Sequence, residues 1–299
     1  MSQTELYVVT GATGRTGAAA ASALLSAGRR VRVVVRDESK GAYWSARGAE
    51  VAVAEFADHE SLVRALSGAD GAYIVSPPQY ASDELFSQAE IMARAIAKAA
   101  TDASLPKLVA LSSIGAEQPD GTGWIAMNRG LEHHLGGTGL PVAFLRAAYF
   151  MENWQPLVKV AVAQGQLPSF LAPLERAIAM IATDDIGRIA ADVLTETWNG
   201  ERLINLEGPA RYAPCDVANH LSKSLGKPIT AAAIPQTDWA QSVSGQGFSV
   251  PAVDGFVEMT QGLNSGHIGF NDQPNAEHRR GVVRLGEVID SMLDHPGRT

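Results

Sequence analysis

The sequence predicts an α/β protein: a doubly wound parallel sheet followed by a smaller C-terminal α/β domain. Three observations carry that expectation. Gly11, Gly14 and Gly17 sit three apart between an apolar run and an Ala-rich run, the pattern of a strand, a tight turn and a helix. Short β-branched runs recur without apolar/polar alternation, as strands buried on both faces of a parallel sheet require. Segments with apolar residues at helical spacing separate these runs, so strand and helix alternate as far as Leu145.

Leu6 to Thr10 reads as the first strand, and Gly11-Ala12-Thr13-Gly14-Arg15-Thr16-Gly17 as the turn after it. Ala18 to Ala27 holds strong helix formers, and Gly28 supplies the stop. Val31 to Val35 is the second strand and Val51 to Glu55 the third. A helix from Glu60 to Leu66, closed by Gly68, leads to the fourth strand, Ala72 to Val75. Ser76-Pro77-Pro78 then takes the chain out of the sheet, because proline cannot continue a central strand. From Asp83 to Ala100 the residues Leu85, Phe86, Ala89, Met92, Ala93 and Ile96 recur at helical spacing. Lys107 to Ser112 is the fifth strand, Ile125 to Leu135 a helix, and Val142 to Leu145 the sixth strand. This is a Rossmann-like order, and its ligands bind at the carboxyl ends of the strands. Gly11, Arg36, Asp58, Ser76, Pro77, Ser112 and Ser113 are expected around that crevice. Residues 1–150 form an NAD(P)-binding domain on this reading. Residues 151–299 form a smaller substrate or partner domain, some of whose strands and helices return to the first sheet.

Gly11 permits the tight turn, Gly14 lets backbone approach a pyrophosphate, and Gly17 lets the helix pack close to the strand. The free N–H groups and positive dipole end of the helix face the phosphates. An NAD site carries Asp or Glu after the second strand to bond the ribose 2′-hydroxyl. Here the residue is Arg36, with Arg15 in the loop and Lys40 just beyond. An arginine fork suits a 2′-phosphate, so NADP(H) is expected over NAD(H). Asp37 stays open as a ribose acceptor.

Net charge is −8, without a basic tail or stripe, which argues against nucleic acid or an anionic membrane as partner. No apolar run reaches the ~18 residues of a membrane span. Met1-Ser2-Gln3-Thr4-Glu5 shows no secretion signal. Cys215 is the one cysteine; it reads as a packing residue, and a cytoplasmic location is expected. His267, His278 and His295 lack metal-ligand spacing, so no metal is expected.

The segments "VTGATGRTG", "VRVVVRDESK", "GADGAYIVSPP", "LVALSSIGAE", "GLPVAFLRAAYFMENW", "IATDDIGRIAADVL" and "INLEGP" occur in this order. Across nearly its whole length the chain resembles the NmrA-like branch of the atypical short-chain dehydrogenases. The first motif is shared widely; "RAAYFMENW" and "TDDIGRIAADVL" are far more specific. The resemblance implies a Rossmann domain with a small C-terminal substrate domain. It implies NADPH-dependent quinone reductases and related reductases, or redox-sensing regulators that bind the cofactor without turnover. It also places Gly11, Thr13, Gly14, Arg15, Thr16, Gly17, Arg36, Ser76 and Pro77 against the cofactor, and Asp58 near the adenine.

One departure bears on chemistry. Ordinary short-chain dehydrogenases use Tyr-x-x-x-Lys, yet no tyrosine here has lysine four residues on, and Ser113 to Leu145 holds neither residue. Some reductases of the family use a lone lysine on the helix before the sixth strand, where this chain has Asn128. Asparagine hydrogen-bonds but supplies no titratable proton. Hydride transfer to a quinone does not need the pair, because the cofactor carries the hard chemistry. Candidate donors to the acceptor are Ser112, Asn128, Tyr149 and one of His133 and His134, whose side chains point about 100° apart on a helix. Tyr149 and Asn153 are the expected acceptor contacts. The expected activity is NADPH-dependent reduction of a quinone or similar small electron-poor acceptor. The alternative is an NADP(H)-sensing regulator acting through a protein partner.

In the remaining chain, Ala177 to Ala182 and Arg202 to Leu206 read as strands. Asp184-Asp185 is expected to cap a helix running to Leu194. Cys215 to Leu225 reads as a helix ended by Gly226, and Gln241 to Asp254 as a mobile loop.

Overall fold

The structure, a computed structural model, describes residues 5–270 and 275–295. Met1, Ser2, Gln3 and Thr4, on which the leader expectation rests, lie outside the described residues. Six strands follow the expected alternation: β1 (Leu6–Val9), β2 (Arg30–Val35), β3 (Glu50–Val53), β4 (Gly71–Ile74), β5 (Leu108–Ser113) and β6 (Val142–Ala147). Five helices connect them: α1 (Arg15–Ser26), a short α2 (Ala42–Ser45), α3 (His59–Leu66), α4 (Leu85–Asp102) and α5 (Ala126–Gly136). β1, β4 and β6 are buried along their whole length, Arg146 of β6 included, as strands covered on both faces of a parallel sheet are.

The second half is more finely divided. It runs β7 (Tyr149–Phe150), α6 (Gln155–Gln164), β8 (Gln166–Ser169), β9 (Ile178–Ile181), α7 (Thr183–Thr195), β10 (Glu201–Glu207) and β11 (Arg211–Tyr212). α8 (Pro214–Leu225), β12 (Thr230–Ala233), α9 (Trp239–Ser244), α10 (Val250–Ser265), β13 (Glu277–Arg280) and α11 (Leu285–Asp294) complete it. β10 and β13 join the main sheet, giving eight strands in the order β13-β10-β6-β5-β4-β1-β2-β3, all parallel. β7, β9 and β11 form a small second sheet, and β8 pairs with β12.

Alternate strand residues feed two apolar layers. Tyr7 and Val9 pack on the side covered by α1 and α7, and Leu6 and Val8 on the side covered by α3, α4 and α5. A third cluster, with Trp154, Leu167, Leu221 and Ile289, holds the second half together. Cys215 is half-buried in α8.

Two expectations are corrected. Much of Gln241 to Asp254 is helical: α9 extends to Ser244 and α10 starts at Val250. Ser249 accepts a hydrogen bond from the Ala252 amide at 3.3 Å and Pro251 fills the first turn, a start signal hidden by the Gly/Ser-rich composition. Asp184 and Asp185 do not cap α7. Its N-cap is Ala182, and Asp185, 1% exposed, turns inward to accept from the Val283 amide at 2.9 Å and to pair with Arg188. Gly281 makes room for it: a Cβ there would lie 2.2 Å from Asp185 Oδ2.

α1 and α7 approach more closely than side chains normally allow. A Cβ on Gly187 would lie 2.4 Å from Ala19 Cβ and 2.5 Å from the Ala20 nitrogen. Gly187→Ala gains about 1 kcal/mol of helix propensity but forces the helices apart, a penalty of about 1–3 kcal/mol or more in a packed core. The clash is expected to win, lowering the midpoint of thermal unfolding followed by circular dichroism. An unchanged or raised midpoint would show that the two helices separate freely.

Candidate functional site

A cavity of about 730 Å³ lies at the carboxyl ends of β1, β4, β5 and β6. Gly11, Gly14, Arg15 and Thr16 form one side, Ser76 and Pro77 another, and Ser112, Asn128 and Leu131 line it as well. It adjoins a second chamber of about 510 Å³, and Arg15, Trp124, Tyr149, Asn153, Met259 and Leu263 line both.

The glycine turn is built for close approach. Gly11 has φ +66°, a left-handed conformation that glycine adopts without strain. A Cβ on Gly17 would lie 2.3 Å from the Gly11 carbonyl oxygen, so helix and turn touch through backbone. At Gly14, by contrast, a Cβ meets nothing nearer than Gly11 O at 3.4 Å. Gly14 is the N-cap of α1, with no side-chain cap and no acid in the first turn. The amides and dipole end of α1 are therefore open to an anion. These residues fit a dinucleotide pyrophosphate. Thr13 is exposed beside them and lines neither chamber.

Arg36 and Lys40 are exposed just past β2, outside both chambers. Asp37 Oδ1 accepts from the Ser39 amide at 2.9 Å, and that bond holds its carboxyl below the usual carboxylate range. One oxygen of the alternative ribose acceptor is thus committed to its own turn, while both cations remain presented to solvent. Asp58 caps α3, accepting from the Ser61 and Glu60 amides, chiefly the former in its effect on the carboxyl. Arg15 turns from the loop toward the second half of the chain. One nitrogen lies 3.4 Å from the Glu152 carbonyl oxygen and another bonds Gln155 Oε1.

Tyr149 is held by pairing of β7 with β9, where it lies opposite Met180. Its side chain hydrogen-bonds Asn153, and burial pushes its hydroxyl pKa up. Asn128 faces the larger cavity from α5. His133 does not: Leu131 and Leu135 take the inward face of α5, which turns His133, two residues from each, to solvent. His134 pairs with Glu90 of α4 at 2.5 Å. Ser112 lines the cavity, but its hydroxyl donates to Glu132 Oε1 at 2.6 Å. Arg146, 6% exposed, holds the same carboxylate through Nε at 2.9 Å and Nη2 at 2.7 Å.

Sequence reasoning missed Glu132, Arg146 and Glu152. Arg146 had a signal: a cation inside an apolar strand requires a buried partner. Glu152 is held by Thr183, whose amide donates to Oε1 at 2.9 Å and whose hydroxyl donates at 2.6 Å. The far wall of the outer chamber is aromatic. Trp124 lies between Phe248 and Phe256, with ring centroids 5.5 and 5.4 Å away, and Phe170 stands edge-on to Phe256 at 5.0 Å. Among the described residues no group of three or more His, Cys, Asp and Glu could hold a metal, and no helix is long and apolar enough to cross a membrane.

The chain is similar to known proteins along most of its length. It is 27% identical over 258 residues to an NAD(P)H azoreductase of Xenophilus azovorans, covering 85% of this chain and 86% of that one. It is 24% identical over 296 residues to quinone oxidoreductase 2 of Escherichia coli (strain K12), covering 98% and 96%. The crystal structure of Citrobacter sp. triphenylmethane reductase complexed with NADP(H) superposes with a TM-score of 0.79 at 20% identity, over 96% of this chain and 99% of that one. The model of the NmrA-like family matches residues 3–274, from before the glycine turn to beyond α10, and the protein belongs to that family.

Proposed function

We propose that the protein is an NADPH-dependent reductase of small electron-poor acceptors, quinones and azo compounds in particular. One observation carries the reading: the space at the uncapped N-terminus of α1 adjoins an aromatic-walled chamber, and Tyr149 and Asn153 line both. Such a space suits a dinucleotide at one end and a planar acceptor at the other. Relatives named as an NAD(P)H azoreductase and a quinone oxidoreductase support it.

Bound NADPH supplies the hydride. The chain's own residues hold and orient the reactants. The α1 amides take the pyrophosphate, and Arg36 with Lys40 takes the 2′-phosphate. Aromatic side chains of the outer chamber flank the acceptor, and Tyr149, Asn153 and Asn128 offer hydrogen bonds to its polar edge. Without a Tyr-x-x-x-Lys pair, positioning and desolvation carry much of the rate.

Cofactor choice is tested by calorimetric titration. Arg36→Ala is expected to weaken NADPH by roughly 10- to 150-fold, the ~1.5–3 kcal/mol of a charged hydrogen bond, and NADH hardly at all. Equal losses for both cofactors would remove Arg36 from the 2′-phosphate. Gly14→Val is expected to fold normally, since a Cβ there meets only Gly11 O at 3.4 Å, yet to lose NADPH binding. Unchanged affinity in the folded variant would place the dinucleotide elsewhere.

Turnover is tested by NADPH oxidation with a panel of quinones, azo dyes and enones. Tyr149→Phe and Asn153→Ala are expected to cost up to ~100-fold through misplaced acceptor, and Asn128→Ala less, because it removes no titratable proton. NADPH binding without oxidation by any acceptor would favour the sensing regulator instead.

A further inference from the structure

Glu152 sits in the single turn Met151–Trp154 that follows β7. Its two carboxyl oxygens have different surroundings. Oε1 accepts from both the amide and the hydroxyl of Thr183, supplying α7 with the N-terminal cap that Ala182 lacks. Oε2 is buried and has no hydrogen-bond partner. Arg15 approaches, but its guanidinium bonds the Glu152 main-chain oxygen and Gln155 rather than the carboxylate. The neighbouring Tyr149 and Asn153 line both chambers, and Glu152 itself lines the outer one.

The contrast with other buried carboxylates is instructive. Glu132 is gripped by Arg146 and Ser112, and Asp185 by Arg188 and the Val283 amide. In both, each carboxyl oxygen has a hydrogen-bond donor. A buried carboxylate oxygen without a donor is costly when ionised and is accommodated more readily when protonated. Burial raises the Glu152 pKa above the ordinary carboxylate value, outweighing the Thr183 bonds, the Glu152 amide and the Arg15 charge, which favour ionisation. Tyr149 on β7 and Lys159 on α6 are the other titratable groups of its chamber beside Arg15.

We propose that Glu152 is the proton donor to the reduced acceptor. The inference rests on the reductase reading above. A quinone that gains the hydride of NADPH, which leaves as NADP+, becomes the hydroquinone monoanion. The O–H bond of Glu152 breaks, and its proton forms an O–H bond on the monoanion, giving the neutral hydroquinone. The carboxylate left behind is stabilised by the nearby Arg15 charge and is reprotonated through the outer chamber once product leaves. Of the donors expected from the sequence, Asn128 has no titratable proton, His133 points to solvent, and burial raises the Tyr149 hydroxyl further from neutrality.

The test is Glu152→Gln, which keeps an oxygen for Thr183 and removes the proton. Difference infrared spectroscopy of the cofactor-free protein should show a protonated carboxyl band persisting above the roughly 4.3 of a free glutamate and missing from Glu152→Gln. Absence of that band in wild type overturns the proposal. In quinone reduction, wild-type kcat should be full at low pH and fall as pH rises through the raised Glu152 pKa. Glu152→Gln should lose that limb and ~100- to 10,000-fold in kcat, with NADPH affinity retained. Glu152→Asp, which keeps a proton, should restore the limb with part of the rate, and carries the test if the glutamine variant does not fold. Turnover that survives in Glu152→Gln with an unchanged limb overturns the donor role alone. No turnover by wild type with any acceptor overturns the reductase reading and the donor role with it.

Discussion

Between β1 and α1 the chain leaves no room for a side chain, and the position of the site follows from that contact. The missing Cβ of Gly17 lets α1 begin directly against the Gly11 carbonyl. That contact sets the direction of α1 and leaves its N-terminus at the carboxyl edge of the sheet, uncapped. α7 is then laid against α1 through Gly187, which determines where Thr183 begins its helix. Thr183 in turn holds Glu152. A series of backbone-level approaches thus links the uncapped N-terminus of α1 to Glu152 in the outer chamber. Rigid elements of this kind hold a site more accurately than loops do.

The aromatic wall depends on a second close approach. A Cβ on Gly123 would lie 1.9 Å from the Gly255 carbonyl oxygen, so α10 rests on the turn that precedes α5. The Trp124 indole donates to the Ala252 carbonyl at 2.8 Å and is fixed in the aromatic wall. The main sheet supplies the floor and the C-terminal helices supply part of the cover. The side chains of α10 that line the two chambers can therefore change without disturbing the strands beneath.

The parts of this structure that the sequence reveals are those whose pattern is local. Buried parallel strands such as Val31 to Val35 and Val142 to Leu145 are apolar runs, and the glycine turn carries its spacing in plain view. β7 and β11, two residues each, are too short to show any period, and α10 is masked by the Gly, Ser and Pro around its start. At the site, Gly11, Gly14, Thr16, Ser76, Pro77, Asn128 and Tyr149 converge on one cavity. Glu152 and Glu132 were illegible because their roles arise from burial and from partners far along the chain: Thr183 lies 31 residues beyond Glu152. His133 shows the converse. Its residue type points to proton transfer, but the helix phase set by Leu131 and Leu135 turns it to solvent.

The outermost strand, β13, reads Glu277-His278-Arg279-Arg280 and is mostly exposed. Arg279 is clasped by Glu196, Arg280 by Glu207, and Glu277 by Arg202. A further strand adding alongside would have to strip water from this charged row, at a cost that backbone pairing does not offset. The sheet is thereby closed to accretion at that border, and crowded copies of the chain are kept from stacking into a shared ribbon.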